Sequence, residues 1–141
     1  MARPDPYILL VDDDQVDVMI ARRTLARRGK GDCLVVARDG IEALEILRGQ
    51  NGHAPLPRPC IVLLDLNMPR MDGLEFLREL RADPELSSVV VFALTTSTAS
   101  RDRAEAYRHQ VAGYIAKTGA PGGFEKIAHM IEQYAELNVF P

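Results

Sequence analysis

The stretch CIVLLDLNMPRMDG, residues 60–73, decides how this chain folds. Its first five residues are continuously apolar, as expected of a parallel strand that is covered on both faces. Asp65 follows directly, and the polar turn that ends with Asp72 and Gly73 can lead into a helix. A buried strand that ends in a carboxylate places that group at a sheet edge, where ligands bind in parallel α/β folds.

Similar apolar runs lie on both sides of this stretch and alternate with helical patterns. The five runs are Tyr7–Val11, Cys33–Ala37, Cys60–Leu64, Val89–Leu94 and Gly113–Ala116. Between and after them, apolar residues recur at helical spacing, most clearly at Phe124, Ile127, Ala128, Ile131 and Ala135. A fainter example is the set Ala104, Tyr107 and Val111. The alternation predicts an α/β fold in which five parallel strands carry helices on both faces.

The turn-forming and helix-capping residues between these elements agree with the predicted fold. The segment Gly29–Gly31 can end the first helix, because glycine tolerates the left-handed conformation of a C-terminal cap. Asp39 is the predicted N-cap of the second helix. Residues 51–59, NGHAPLPRP, contain three prolines and predict an extended surface connection.

Composition narrows the class of protein. The chain has 141 residues with Lys+Arg 17 against Asp+Glu 20, a net charge of −3, which predicts one globular domain and no general nucleic-acid binding. No apolar run is long enough to span a membrane, and the first residues do not resemble a secretory signal. Two cysteines, Cys33 and Cys60, are too few for a disulfide scaffold, so we expect a reduced cytoplasmic protein.

Polar groups follow four of the predicted strands. They are Asp12, Asp13 and Asp14 after the first strand, Asp65 after the third, Thr95 to Ser97 after the fourth, and Lys117 after the fifth. Clustered carboxylates repel one another, and a hard divalent cation such as Mg²⁺ relieves that repulsion. We therefore predict a magnesium site that a phosphoryl group completes. Asp14 and Asp17 are interpreted instead as acids in the first turn of a helix.

These residues identify a resemblance. The sequence resembles the receiver domains of two-component response regulators, whose fold the chemotaxis regulator shares. The matching pieces are ILLVDDD at 8–14, LLDLNMPRMDG at 63–73, LTTS at 94–97 and GYIAK at 113–117. The resemblance implies a (βα)5 doubly wound sheet in the flavodoxin-like order 2-1-3-4-5. It also implies a receiver domain at residues 7–136, between an extension at 1–6 and a tail at 137–141.

The resemblance also implies a role for each site residue. Asp65 is the implied phospho-acceptor, Thr95 and Lys117 bind the phosphoryl group, and Tyr114 is the aromatic switch. The implied Mg²⁺ ligands are Asp12, acting mainly through water, Asp13, Asp65 and the backbone carbonyl of Asn67. The implied activity is signalling through self-phosphorylation and self-dephosphorylation, without catalysis on other substrates.

Implied partners follow from the same resemblance. A sensor histidine kinase or phosphotransfer protein supplies the phosphoryl group, and from the charge and the lack of a long apolar run we expect no nucleic-acid or membrane partner. Thr118 stands where many receivers carry proline, and this feature, LTTS and the 51–59 connection resemble regulators that partner phytochrome-type kinases. Few residues follow the last helix, so we expect no output domain and action by docking, as a relay shuttle, a phosphate sink or a protein-binding regulator.

Three alternatives stay open at this point. The C-terminal residues and the Phe124 stripe could form a homodimer, or Val139 and Phe140 could fold back on their own core. The protein could be a docking module that keeps the fold without using phosphate. A free-standing phosphatase is a third reading, although Asn67 stands where a haloacid-dehalogenase-type enzyme has its second aspartate.

Overall fold

The computed structural model describes residues 5–68, 70–96, 100–117 and 122–141. Its strands are β1 (Tyr7–Val11), β2 (Leu34–Ala37), β3 (Cys60–Asp65), β4 (Val90–Thr95) and β5 (Gly113–Ala116). Its helices are α1 (Gln15–Arg27), α2 (Gly40–Arg48), α3 (Gly73–Ala82), α4 (Ser100–Arg108) and α5 (Gly123–Leu137). Pro69, Ser97 and residues 118–121, which belong to the motifs and the loop discussed above, lie outside the described residues.

The five strands form one parallel sheet in the order β2-β1-β3-β4-β5, which confirms the expected topology. β1 occupies an interior position, with Leu9 beside Val35 of β2 and Val62 of β3. The strand order reverses at β1 and β3, so the loops that follow these two strands leave toward opposite faces. This switch point lies where the sequence concentrates its aspartates.

Helices cover both faces of the sheet and form two apolar layers. α2, α3 and α4 pack on one face through residues such as Leu47, Phe76 and Ala106, while α1 and α5 pack on the other through Leu25 and Ile131. All six residues of β3 are buried. β3 pairs with β1 on one side and with β4 on the other, so Asp65 stands at the end of a fully buried interior strand.

The caps explain where several helices begin and end. Asp39 accepts a hydrogen bond from the Glu42 amide at the start of α2, as predicted. After α1, Gly29 has a φ of +73°, and the amide of Lys30 donates to the Leu25 carbonyl. This is the Schellman arrangement, which needs a left-handed residue at that position.

The structure corrects some boundaries and one helical face. β2 begins at Leu34 because residues 31–33 form a 3-10 turn, and β3 and β4 extend to Asp65 and Thr95. The predicted apolar face of α4 was wrong. Ala106 is its buried residue, whereas Tyr107 is half exposed and Val111 lies beyond the helix end. A short helix takes its rotation from the layer that it packs against, and two alanines with one tyrosine specify that rotation poorly.

The sequence left open whether the C-terminal residues pack on their own core or stay exposed for a second copy, and the structure shows some of them in each situation. The Phe124 stripe of α5 packs against its own sheet, and the Phe140 ring lies 5.8 Å from that of Tyr134. Phe140 therefore folds back, but Val139 is 86% exposed. Within the described residues, the helices are too short or too polar to cross a bilayer.

Candidate functional site

The carboxyl ends of four strands bring the predicted site residues to one edge of the sheet. Asp65 and Thr95 are the last residues of β3 and β4, and Lys117 follows β5 directly. The amide of Lys117 donates to the Thr95 carbonyl over 2.8 Å, which extends the β4–β5 pairing to the point where both side chains emerge. The parallel register thus decides this convergence, because residues far apart in sequence end their strands at the same level.

Three aspartates form an acidic cluster at this edge. Oxygen atoms of Asp12, Asp13 and Asp65 all lie within 4.8 Å of one another. Asp12 and Asp65 are buried, whereas Asp13 is exposed. Hard oxygen donors at this spacing suit Mg²⁺ or Mn²⁺, which hold a few carboxylates and complete their shell with water. The residues present therefore fit a divalent metal ion with one open, solvent-facing side.

Lys117 is the counter-charge that the chain itself supplies to this cluster. Its Nζ lies 2.9 Å from Asp12 Oδ2, 3.4 Å from Asp65 Oδ2 and 2.8 Å from Asp17 Oδ2. The last contact was missed by the sequence analysis, which interpreted Asp17 only as an acid near a helix N-terminus. A signal did exist, because an N-cap at Asp14 places Asp17 on the first turn of α1, close to the strand ends.

Electrostatics at the cluster disfavour several buried negative charges. Burial raises the pKa of Asp12 to about 6, although the Asp14 amide and Lys117 oppose the rise. Burial also raises the pKa of Asp65, against the Asn67 amide and Lys117, and the charge of Asp13 adds to the rise. Burial lowers the pKa of Lys117, but its hydrogen bonds to Asp17 and Asp12 outweigh this and raise it overall. The cluster therefore favours additional positive charge.

Short-range contacts hold the acceptor side of the site. The Asn67 amide donates to Asp65 Oδ1 over 3.1 Å, and Asn67 Nδ2 donates to Thr95 Oγ1 over 3.3 Å. The start of α3 passes so close to β3 that a Cβ on Gly73 would lie 2.6 Å from Leu66 Cα. Only glycine allows this approach, so Gly73 sets the path of the loop that carries Asn67.

Tyr114 lies away from the charged groups, on the outer strand of the sheet. It pairs with Ala93 of β4, is half buried, and its ring centroid lies 6.5 Å from that of Tyr107 on α4. The tyrosine thus links β5, the strand that leads into Lys117, to α4, the helix that comes after Thr95 in the chain. The structure brings together Asp12, Asp13, Asp65, Asn67, Thr95 and Lys117 and leaves Tyr114 at the neighbouring surface.

Comparison with known proteins agrees with this geometry. The sequence model of the response regulator receiver domain matches residues 8–131. Response regulator Rcp1 of Synechocystis sp. is 33% identical over 133 residues, which cover 94% of this chain and 90% of that protein. The crystal structure of the phosphorylated cyanobacterial phytochrome response regulator RcpA superposes with a TM-score of 0.87 at 33% identity, covering 98% of this chain and 99% of that one.

A second solved structure relates to the acidic cluster. The Mn²⁺-bound form of response regulator Rcp1 has a TM-score of 0.82 and 31% identity, and the match covers 96% of this chain and 99% of that one. A divalent metal ion thus occurs in a protein of the same fold and similar length. Fold, strand-end chemistry and sequence similarity lead to one conclusion: the chain belongs to the family of response regulator receiver domains.

Proposed function

We propose that Asp65 accepts a phosphoryl group from a sensor histidine kinase or a phosphotransfer protein, and that phosphorylation switches the protein's contacts with its partners. One observation carries this proposal: a buried strand ends in a carboxylate that has two further aspartates within 4.8 Å and an ammonium group at 3.4 Å. Such a constellation suits charge neutralisation around a transferring phosphoryl group. Burying several charges together costs free energy, so a sheet edge with a purely structural role is not expected to carry them.

The transfer is a substitution at phosphorus. A carboxylate oxygen of Asp65 forms a bond to phosphorus while the phosphorus–nitrogen bond of the donor's phosphohistidine breaks, and the electron pair stays on the imidazole. Asp13, Asp65 and the backbone carbonyl of Asn67 are the proposed direct Mg²⁺ ligands, and Asp12 acts mainly through water. The bound metal ion supplies charge neutralisation and alignment of the reacting oxygens.

Two further side chains contact the proposed phosphoryl group. Lys117, whose Nζ already lies 3.4 Å from Asp65, pairs with the negative charge of the phosphoryl group. Thr95 is fully buried at the end of β4, and its hydroxyl donates to a phosphoryl oxygen. Because β3 holds Asp65 rigidly, these groups need small movements only, and most of the catalytic effect comes from positioning.

The proposed switch runs from Thr95 to Tyr114. A phosphoryl group adds about −1.5 to −2 charge and draws Thr95 inward, which changes the space available to Tyr114 and the surface of α4, β5 and α5. Moving such an equilibrium from mostly inactive to mostly active requires about 5.5 kcal/mol of differential stabilisation. Several charge-assisted hydrogen bonds to one phosphoryl group supply an energy of this size.

The proposed partners follow from the relatives. RcpA is described as a phytochrome response regulator, so we propose that the kinase of this protein is of the bacteriophytochrome type.

We also propose a cytoplasmic location, since the free thiols Cys33 and Cys60 suit a reducing compartment. A homodimer is proposed through the C-terminal surface, where Leu137 is 81% and Val139 86% exposed. Sedimentation of the native chain and of Val139→Asp tests the dimer.

Incubation with acetyl phosphate and Mg²⁺ followed by intact-mass measurement tests the central proposal. The native chain should gain the mass of one phosphoryl group, and Asp65→Asn should gain none. Asp32→Asn is the matched control, because it removes an exposed carboxylate far from the cluster and should be labelled like the native chain. No labelling of the native chain, while another receiver is labelled, would favour a phosphate-independent docking module. Turnover of phosphomonoesters would indicate a phosphatase.

A further inference from the structure

We propose that Asp17 is a positioning residue that holds Lys117 back from the acceptor aspartate and thereby opposes phosphorylation. The inference rests on the function proposed above and concerns the same site. Among the described residues, three carboxylates contact the ammonium of Lys117, and the two short contacts go to Asp17 and Asp12. The third, to Asp65, is 3.4 Å long.

The geometry of the ammonium supports a competition. A lysine Nζ has three N–H donors, and a strong N–H···O bond to a carboxylate spans about 2.7–2.9 Å. The contacts of 2.8 Å and 2.9 Å fall in that range, whereas 3.4 Å does not. In the unphosphorylated protein Lys117 is therefore bound mainly by Asp17 of α1 and by Asp12, which follows β1, and only weakly by the residue that is to be phosphorylated.

Asp17 is the partner that Lys117 releases most readily. The Asp17 side chain is 37% exposed, so water can replace the ammonium, whereas Asp12 is 1% exposed and would be left as a buried carboxylate without its counter-charge. Asp17 also adds a fourth negative charge beside Asp12, Asp13 and Asp65. A phosphoryl group brings further negative charge to this place, and the charge of Asp17 disfavours it.

The affinity for beryllofluoride, which stands in for the phosphoryl group on an aspartate, reports on this competition when it is measured in saturating MgCl₂. We expect Asp17→Asn to bind beryllofluoride about two- to fivefold more tightly than the native chain, the range of a partly exposed ion pair. Asp17→Glu keeps the charge and should return the affinity toward the native value. Asp32→Asn, which removes a distant exposed charge, should leave it unchanged.

A second measurement separates positioning from a general loss of structure. The chain contains only three lysines, so the side-chain NMR signal of Lys117 is readily assigned by substitution. In Asp17→Asn without beryllofluoride, this signal should already lie part of the way toward the position that it takes in the native beryllofluoride complex. A change in helix stability alone would not move it in that direction.

The two proposals fail in different ways. If acetyl phosphate labels the native chain but Asp17→Asn binds beryllofluoride equally well or more weakly, Asp17 does not restrain Lys117 and the inference is wrong. The inference is also wrong if the Lys117 signal of Asp17→Asn stays at the position that it has in the native chain. If the native chain is neither labelled nor bound by beryllofluoride, the proposed function itself fails.

Discussion

Replacing the acceptor aspartate should make the metal-free protein more stable, although it removes the proposed chemistry. In Asp65→Asn the side chain keeps its shape and an oxygen for the Asn67 amide but loses its charge. The neutral side chain no longer repels Asp12 and Asp13, and it no longer attracts Lys117. The sign of the stability change depends on which of these effects is larger.

The distances allow an estimate of both. At an effective dielectric constant of 20, two unit charges at 4.8 Å, the outer limit of the spacing in this cluster, repel each other by about 3.5 kcal/mol, so the loss of the two pairs that Asp65 makes removes about 7 kcal/mol of repulsion. The attraction to Lys117 across 3.4 Å amounts to about 5 kcal/mol on the same scale. The balance, about 2 kcal/mol, favours the variant. The raised pKa of Asp65 has the same sign, and its largest cause is burial of the charged carboxylate, a cost that Asp65→Asn also relieves.

Urea unfolding at neutral pH tests this estimate, once in EDTA and once in MgCl₂. In EDTA the free energy of unfolding of Asp65→Asn should exceed that of the native chain by about 1–2 kcal/mol, after allowance for solvent screening. In MgCl₂ at a hundred times the dissociation constant the native chain should gain about 2.7 kcal/mol, and the variant less. Asp32→Asn controls for net charge. A variant that is less stable in EDTA, or equally stabilised by Mg²⁺, would refute the reasoning.

Three further predictions concern other parts of the structure. Arg81→Ala should lower the free energy of unfolding by about 2–4 kcal/mol, because the half-buried guanidinium donates to backbone carbonyls of two loops, and Arg81→Lys should recover only part of it. Those carbonyls belong to Ser87, Val89, His109 and Gln110. Gly73→Ala should lower the free energy of unfolding, measured in urea, by about 1–3 kcal/mol or more, since the added Cβ would overlap Leu66. In EDTA the stability contributed by Asp12 should fall by about 2–3 kcal/mol as the pH rises from 3.8 to about 6, because the folded state binds its proton more tightly, and Asp12→Asn should remove that fall.

Much of the fold was accessible from local sequence. Each strand is a short apolar run bounded by turn residues, and such runs were located to within one residue at either end. Asp39 and the segment Gly29–Gly31 were identified as helix caps because side-chain chemistry and backbone freedom act within four residues. The convergence at the site was also predictable, since parallel strands present their carboxyl ends at one edge.

Other features depended on contacts between distant segments. The sequence does not tell which of two adjacent aspartates is buried, and in the structure Asp12 is buried and Asp13 is exposed. The rotation of α4, with Ala106 inward, follows from the layer beneath it. Arg81 donates to carbonyls whose positions are set by two separate loops.

The amino-acid sequence by itself determined the order of strands and helices and the kinds of chemical group that meet at one sheet edge, because hydrophobic period and turn chemistry act over a few residues. Only the tertiary structure decided how those groups pair. Lys117 and Asp17 are a hundred positions apart, and their 2.8 Å contact exists because the parallel sheet places the residue that follows β5 and the first turn of α1 at the same edge. No local pattern encodes that distance, since it results from the packing of the whole domain.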